Sequence, residues 1–169
     1  MDKHLEIERK YLIRYPDVDF LRSVRGVREI KIVQDYLTPD ENGYARRIRI
    51  WDDGGLHYFF TRKKRLKAMV NEETEEEITG EEYERLLAQK DPGRNTIRKT
   101  RFRIPEAGHI FEIDVFEFWT RQAYLEVELT SEDESFEIPD YIEVIREVTS
   151  DRRYTNGALA RNVPKEDDV

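Results

Sequence analysis

Cysteine is absent from all 169 residues, so the chain has no disulfide framework, no thiol nucleophile and no zinc–thiolate site. No apolar run approaches the length that spans a bilayer, and the N-terminus opens into a strand pattern rather than a signal peptide. A cytoplasmic protein with no membrane partner is expected. No glycine-rich segment precedes a Lys-Ser or Lys-Thr pair, which excludes a P-loop; any phosphate must be held by side chains. The histidines, His4, His57 and His109, are isolated at strand ends or turns, so neither a histidine metal site nor a histidine base is expected. No repeat of solenoid length occurs, and the only biased segment is the acidic run 71–77. Positive charge is in deficit, and a net charge of -8 argues against nonspecific binding to nucleic acid. A small anionic ligand remains compatible, because binding depends on the local field and not on the net sum.

What the chain has in quantity is charge set at strand spacing. In Glu6-Ile7-Glu8-Arg9-Lys10, the side chains of Glu6, Glu8 and Lys10 share one face, while Leu5, Ile7 and Tyr11 share the other. The device recurs along the chain. Arg47 and Arg49 oppose Ile48 and Ile50; Lys63 lies on the Phe59/Thr61 side; Glu75 and Glu77 pair up. Lys99, Arg101 and Arg103 oppose Phe102 and Ile104, Glu112 and Asp114 oppose Phe111, Ile113 and Val115, and Glu126 and Glu128 alternate with Leu125, Val127 and Leu129. Each charged face is mostly of one sign, and the sign changes from strand to strand.

Two architectures produce such stripes. One is an open antiparallel sheet with a solvated face, where cross-strand ion pairs contribute a few tenths of a kcal/mol each. The other is a closed sheet whose charged faces converge on a lumen. Six cations (Lys10, Arg47, Arg49, Lys63, Lys99, Arg101) would then meet eight acids (Glu6, Glu8, Glu75, Glu77, Glu112, Asp114, Glu126, Glu128). Sequestered from water, that set is costly unless neutralised, and divalent cations with a polyanion would satisfy both halves. The closed sheet is the favoured reading.

Strands are expected near 4–13, 28–38, 44–52, 56–65, 69–78, 95–104, 109–117 and 123–131, with hairpin turns at Glu41-Asn42-Gly43 and Asp52-Asp53-Gly54-Gly55. A helix is expected near 17–26, a second after the N-cap Thr79 ending at Asp91-Pro92-Gly93, and a third after Ser150-Asp151 through Tyr154 and Leu159. Tyr58, Phe59, Phe60, Phe111, Phe116, Phe118 and Trp119 read as outer packing under helices. Residues 1–163 read as a single domain and 164–169 as a flexible polar tail.

These motifs together carry a resemblance. Glu6-x-Glu8-x-Lys10, Arg47-x-Arg49, Phe60-Thr61-x-Lys63, Glu75-x-Glu77, Lys99-x-Arg101, Asp114, Glu126-x-Glu128 and the closing Val148-Thr149-x-Asp151-x-Arg153-Tyr154-Thr155-Asn156 follow one another in order. The chain thereby resembles the CYTH superfamily, the triphosphate tunnel metalloenzymes, and most of all its small bacterial inorganic triphosphatases. The resemblance implies an α+β fold built on an eight-stranded antiparallel closed β-barrel with helices outside. It implies metal-dependent hydrolysis of a triphosphate, with tripolyphosphate the expected substrate. Nucleoside or thiamine triphosphate hydrolysis, class IV adenylate cyclase activity and a non-enzymatic polyphosphate-binding module are the alternatives. Glu6, Glu8, Glu126 and Glu128 would hold Mg²⁺ or Mn²⁺, two ions being expected. Lys10, Arg47, Arg49, Lys63, Lys99 and Arg101 would bind the substrate, and Glu75, Glu77, Asp114 and Lys10 are the candidate catalytic residues. Glu75 and Glu77 are chosen because they align with the family's second acidic pair, while Glu72, Glu73 and Glu76 read as solvated. The charged set sums to -2, so a metal-free tunnel is expected to repel its substrate and two divalent ions to reverse that. A homodimer is expected by resemblance alone, with an exposed aromatic patch at Phe116–Trp119 as its interface.

Overall fold

The structure, a computed structural model, describes residues 3–167. Nine strands are present among them: β1 His4–Arg14, β2 Arg28–Leu37, β3 Ala45–Asp52, β4 Leu56–Lys67, β5 Val70–Ile78, β6 Ile97–Glu106, β7 His109–Phe116, β8 Gln122–Leu129 and β9 Val144–Glu147. They form one antiparallel sheet in the order β5-β4-β3-β2-β6-β7-β8-β1-β9, and a further pairing of β5 with β1 closes the first eight into a barrel. The eight expected strands are all there. The ninth was not expected.

β9 occupies a particular place. The free edge of β1 pairs with β5 through His4–Ile7 and with β9 through Tyr11–Ile13. β1 and β5 therefore part company half-way along, and the C-terminal segment enters the gap.

The outward face follows the alternation. Ile13, Phe102, Ile104, Phe111, Ile113, Leu125 and Val127 are buried in one apolar cluster, and Leu37, Ile48, Ile78 and Tyr83 in another. Burying a side chain of this size stabilises by roughly 1.5–3 kcal/mol. Helix α1, Val18–Ser23, is capped by Asp17 and contributes Leu21; helix α2, Gly80–Leu87, is capped by Thr79, whose hydroxyl accepts from the Glu82 N–H at 3.1 Å. Helices cover only part of this face. Over β6, β7, β8 and β1 the cover is the irregular segment 130–143, whose Phe136, Ile138, Tyr141 and Ile142 pack on the first cluster.

The expected third helix is a 3₁₀ turn, Arg152–Tyr154, followed by a four-residue helix α3, Asn156–Leu159, capped by Thr155. The tail expected to fray is held through Asp167. Trp119 Nε1 donates to the Pro164 carbonyl at 3.2 Å, Glu166 accepts from the N–H groups of Thr120 and Arg121, and Asp167 accepts from Arg146 at 2.9 Å. Asp168 and Val169 lie outside the described residues.

Candidate active site

Cross-strand register places the charged stripes on the inner face. Lys10 lies opposite Glu126 and Glu8 opposite Glu128 across β1–β8. Arg47 lies opposite Thr61, Thr61 opposite Glu75, and Lys63 opposite Glu73 across β3–β4–β5. Arg101 lies opposite Asp114 and Glu112 opposite Glu126 across β6–β7–β8. Lys10, Arg47, Arg49, Lys99, Arg101, Glu112, Asp114 and Glu126 are all buried. An open solvated face would leave them exposed, so the closed reading holds.

Inside, the ions form two groups. On the β6–β7 wall, Asp114 accepts from Lys99 Nζ at 2.8 Å and from Arg101 Nε and Nη2 at 2.8 and 3.0 Å. Burial works against the Asp114 charge, yet Arg101 and Lys99 outweigh it and hold the carboxyl well below the ordinary range. Lys99 has a side chain with no exposed surface, and burial together with Arg101 pushes its ammonium down to about 8 despite Asp114. With both oxygens occupied, Asp114 is placed to position these cations rather than to orient a water.

On the β3–β4–β5 wall, Arg49 is paired with Glu75, which also accepts from the Thr61 hydroxyl at 3.1 Å. Glu77 is exposed at the barrel end and bonded to His57 at 2.9 Å, away from the inner wall. Glu73, expected in solvent, is buried instead, with one carboxylate oxygen lacking a partner. Burial and a hydrogen bond to Glu6 push its carboxyl up to about 8. The signal was available: Glu73, Glu75 and Glu77 alternate, so the inward stripe begins two residues earlier than the pair selected.

Lys10 and Lys63 bridge to the remaining acids. Lys10 Nζ donates to the Tyr154 carbonyl at 3.2 Å and lies 3.4 Å from Glu126, while its backbone N–H donates to Thr149. The closing motif thus positions Lys10 through Thr149 and the 3₁₀ turn. Lys63 donates to Glu6 at 2.7 Å and reaches Glu8 at 4.0 Å. Arg47 stands apart. It is buried, its Nε has no hydrogen-bond partner, and it makes no ion pair among the described residues.

One end of the barrel is filled. Leu12, Tyr36, Ile97, Phe116 and Tyr124 are inward positions, and they pack with Trp119, Val148, Tyr154 and Leu159 into a third buried cluster. Phe116 and Trp119 therefore belong to this plug and not to an outer layer under helices. The expected exposed aromatic patch is reduced to Phe118. Phe59 also points inward, edge-on to Trp51 with ring centroids 5.7 Å apart.

Beside the plug, where β1 and β5 separate, a cavity of about 500 Å³ opens to solvent. Glu8, Lys10, Arg47, Thr61 and Lys63 line its inner part and Thr149 and Asp151 the C-terminal side. Its lining carries nine cationic side chains and two carboxylates, and Lys10, Lys63, Arg94 and Arg161 among the cations are ion-paired with Glu126, Glu6 and Asp91 behind it.

No protein-family model matches the chain. An inorganic triphosphatase of Nitrosomonas europaea is 33% identical over 165 residues, spanning 94% of this chain and 99% of that protein. The chain belongs to this triphosphatase family, the CYTH superfamily that its motifs resemble. An inorganic triphosphatase of Acetivibrio thermocellus is 31% identical over 161 residues, 93% of this chain and 94% of that protein. The fold agrees: the crystal structure of an inorganic triphosphatase, 32% identical, superposes with a TM-score of 0.59 over 95% of this chain and 97% of that one.

Family membership raises the question of metal. Among the described residues no three His, Asp or Glu side chains converge as a ready coordination shell. The donors nevertheless suit a hard cation. Glu8 is pushed well above the usual carboxylate range by burial and by Glu126 beside it, the mark of acids crowded without enough counter-charge. Glu126 keeps one buried oxygen without a hydrogen bond, its counter-charge being Lys10 Nζ at 3.4 Å. Glu6 is already neutralised by Lys63, and Glu128 is exposed at the rim with its carboxyl raised by partial burial and by Glu112. The fit is best at Glu8 and Glu126.

Proposed function

We propose that the protein hydrolyses the terminal phosphoryl group of inorganic tripolyphosphate in the barrel lumen, using a divalent cation. The observation that carries this reading is Arg47, a buried guanidinium that makes no direct hydrogen bond or ion pair among the described residues, although Glu73, Glu75 and Glu6 lie near it, on the wall of a cationic cavity. Glu73, Glu75 and Glu6 keep it charged without occupying its donors, and a phosphate oxygen is the natural partner for that planar group. Lys10 and Lys63 share that wall and would take neighbouring phosphates as point charges. Arg49, beside Arg47 on β3, and Lys99 and Arg101 on β6 would contribute further positive potential, with Glu75 and Asp114 fixing their orientation.

Glu8 and Glu126, with Glu6 and Glu128 on the same two strands, would hold Mg²⁺ or Mn²⁺; when bound, such an ion neutralises phosphate charge and supplies Lewis acidity. Glu75 is the residue best placed to orient water, since its two protein donors fall on one oxygen and leave the other free. Water oxygen attacks the terminal phosphorus, the bridging P–O bond breaks, and orthophosphate and pyrophosphate leave with one proton released. The residues do little covalent work; fixed donors around the developing charge supply the rate.

An inorganic substrate is favoured over nucleoside or thiamine triphosphates by the cavity wall. Tyr36 is its one aromatic side chain among the described residues, and the Arg94 guanidinium already lies 4.9 Å from that ring centroid. A panel of tripolyphosphate, nucleoside triphosphates and thiamine triphosphate, assayed with Mg²⁺ or Mn²⁺ for phosphate, pyrophosphate and cyclic nucleotide, tests the reading. Tripolyphosphate should be turned over with the highest kcat/KM. Cyclic nucleotide as the main product, or no turnover of tripolyphosphate, would overturn it.

A further inference from the structure

Six of the nine cations lining the cavity, Arg46, Lys64, Arg65, Arg94, Arg152 and Arg161, belong to none of the motifs that define the lumen. They come from parts of the chain far apart: strands β3 and β4, the turn after α2, and the C-terminal segment that β9 leads into. Several are already engaged. Arg46 donates to the Thr38 carbonyl and Gln89, and Arg161 and Arg94 lie 3.1 and 3.5 Å from Asp91. Arg65 and Arg152 are different. Arg65 has only two long bonds to backbone carbonyls, Ala68 at 3.3 Å and Thr149 at 3.4 Å. The Arg152 side chain is exposed and makes no hydrogen bond or ion pair among the described residues. One stands on each side of the gap, on β4 and on the 3₁₀ turn.

A guanidinium that stabilises no part of the fold is free to act on something that arrives. The same cavity is lined by Lys63 on β4, Arg47 on β3 and Lys10 on β1, so its positive charge continues from these two residues to the lumen. A concave opening lined mostly by one sign of charge focuses the field and raises capture rates for an anion, even in a chain of net charge -8.

We propose that Arg65 and Arg152 form an outer anion-capture station at the barrel's side opening, which draws inorganic polyanions to the lumen and hands them to Arg47 without taking part in the reaction. The inference rests on the function proposed above for its ligand class, and on the cavity's geometry for its residues. A capture role has a kinetic signature distinct from that of a reaction-site residue. It acts on association, so it changes kcat/KM and not kcat, and it fades with salt because both side chains meet solvent.

The test is the double variant Arg65→Gln/Arg152→Gln, compared with wild type and with Arg22→Gln on α1 as a control. Tripolyphosphate turnover should show kcat/KM lowered about tenfold at low ionic strength, with kcat within twofold, and the difference should shrink to about twofold near 0.5 M salt. Arg22→Gln should match wild type. Unchanged kcat/KM at every salt concentration would overturn the proposal, and so would an equal loss of kcat, which would put these residues in the reaction site. Calorimetric titration with tripolyphosphate in excess chelator, which needs no turnover, gives a second reading. If no triphosphate is hydrolysed but the double variant binds tripolyphosphate about tenfold more weakly at low salt, the proposed reaction fails and the capture site stands. Equal binding by variant and wild type would remove the capture site whatever the activity.

Discussion

Asp114 shows how a single residue controls this interior. It holds Lys99 and Arg101 on the inner wall, and all three lie out of solvent. Removing one member of a buried ion network leaves the others uncompensated, which typically costs about 3–5 kcal/mol. Asp114→Asn should therefore lower the urea midpoint by that order, read from equilibrium unfolding, before any effect on turnover is considered. Lys99 carries a second expectation. Burial has brought its ammonium down to about 8, so the positive charge that it would lend to the proposed substrate site is present below that pH and lost above it. kcat/KM for tripolyphosphate should fall as pH rises through about 8, while the basic limb of kcat should lie higher because a bound polyanion favours the charged lysine. A flat kcat/KM from pH 7 to 10 would separate Lys99 from substrate binding. Glu8 carries the third. Its carboxylate is disfavoured by burial and by Glu126, so Glu8→Gln should keep or raise the thermal midpoint and yet abolish metal-dependent turnover. Metal-stimulated activity in that variant would rule out the carboxylate's proposed role.

At the scale of elements, the strands were legible because each has one apolar face and a strict period of two, and turns such as Glu41-Asn42-Gly43 punctuate them. β9 was not, because Val144 and Ile145 are adjacent and the strand is too short for alternation to show; it exists because the edge of β1 is left open above Ile7. Glu73 was missed for a different reason. Five acids in six positions look like a solvated run until the strand's partner is known, and only the pairing with Lys63 across β4–β5 sends Glu73 inward. The plug was hidden by parity too. Leu12, Ile97, Phe116 and Tyr124 share a face with Lys10, Lys99, Asp114 and Glu126, so a charged stripe continues as an apolar one without any change of period. This plug is an energetic unit. Leu12 is wholly buried, and Leu12→Ala should cost about 2–5 kcal/mol by denaturant unfolding, the range for a cavity left in a packed core. Because Tyr154 supplies the carbonyl that Lys10 contacts, the same variant should also raise KM for the substrate, linking the packing of the plug to the position of a reaction-site lysine. A destabilised variant with unaltered KM would show that the plug only fills space.

Taken as a whole, the molecule solves a problem of charge placement. The closed sheet turns its apolar faces outward under a thin cover of two short helices and one irregular segment, and it turns ionic groups inward. Those groups are mostly paired, which makes the interior tolerable, but Arg47 makes no direct ion pair among the described residues and feels Glu73, Glu75 and Glu6 only through space. Its donors therefore remain open to a ligand. This makes Arg47 a cleaner residue to remove, since its loss breaks no direct ion pair, whereas Arg49→Ala or Arg101→Ala would free Glu75 or Asp114. The decisive measurement is kcat/KM for tripolyphosphate with Mg²⁺ or Mn²⁺ in Arg47→Ala, alongside its thermal midpoint. A lumen that binds the triphosphate through this guanidinium predicts a fall of about 10²–10³, the effect of losing one anion-stabilising donor, with cooperative thermal unfolding retained. Wild-type kcat/KM in that variant would contradict it.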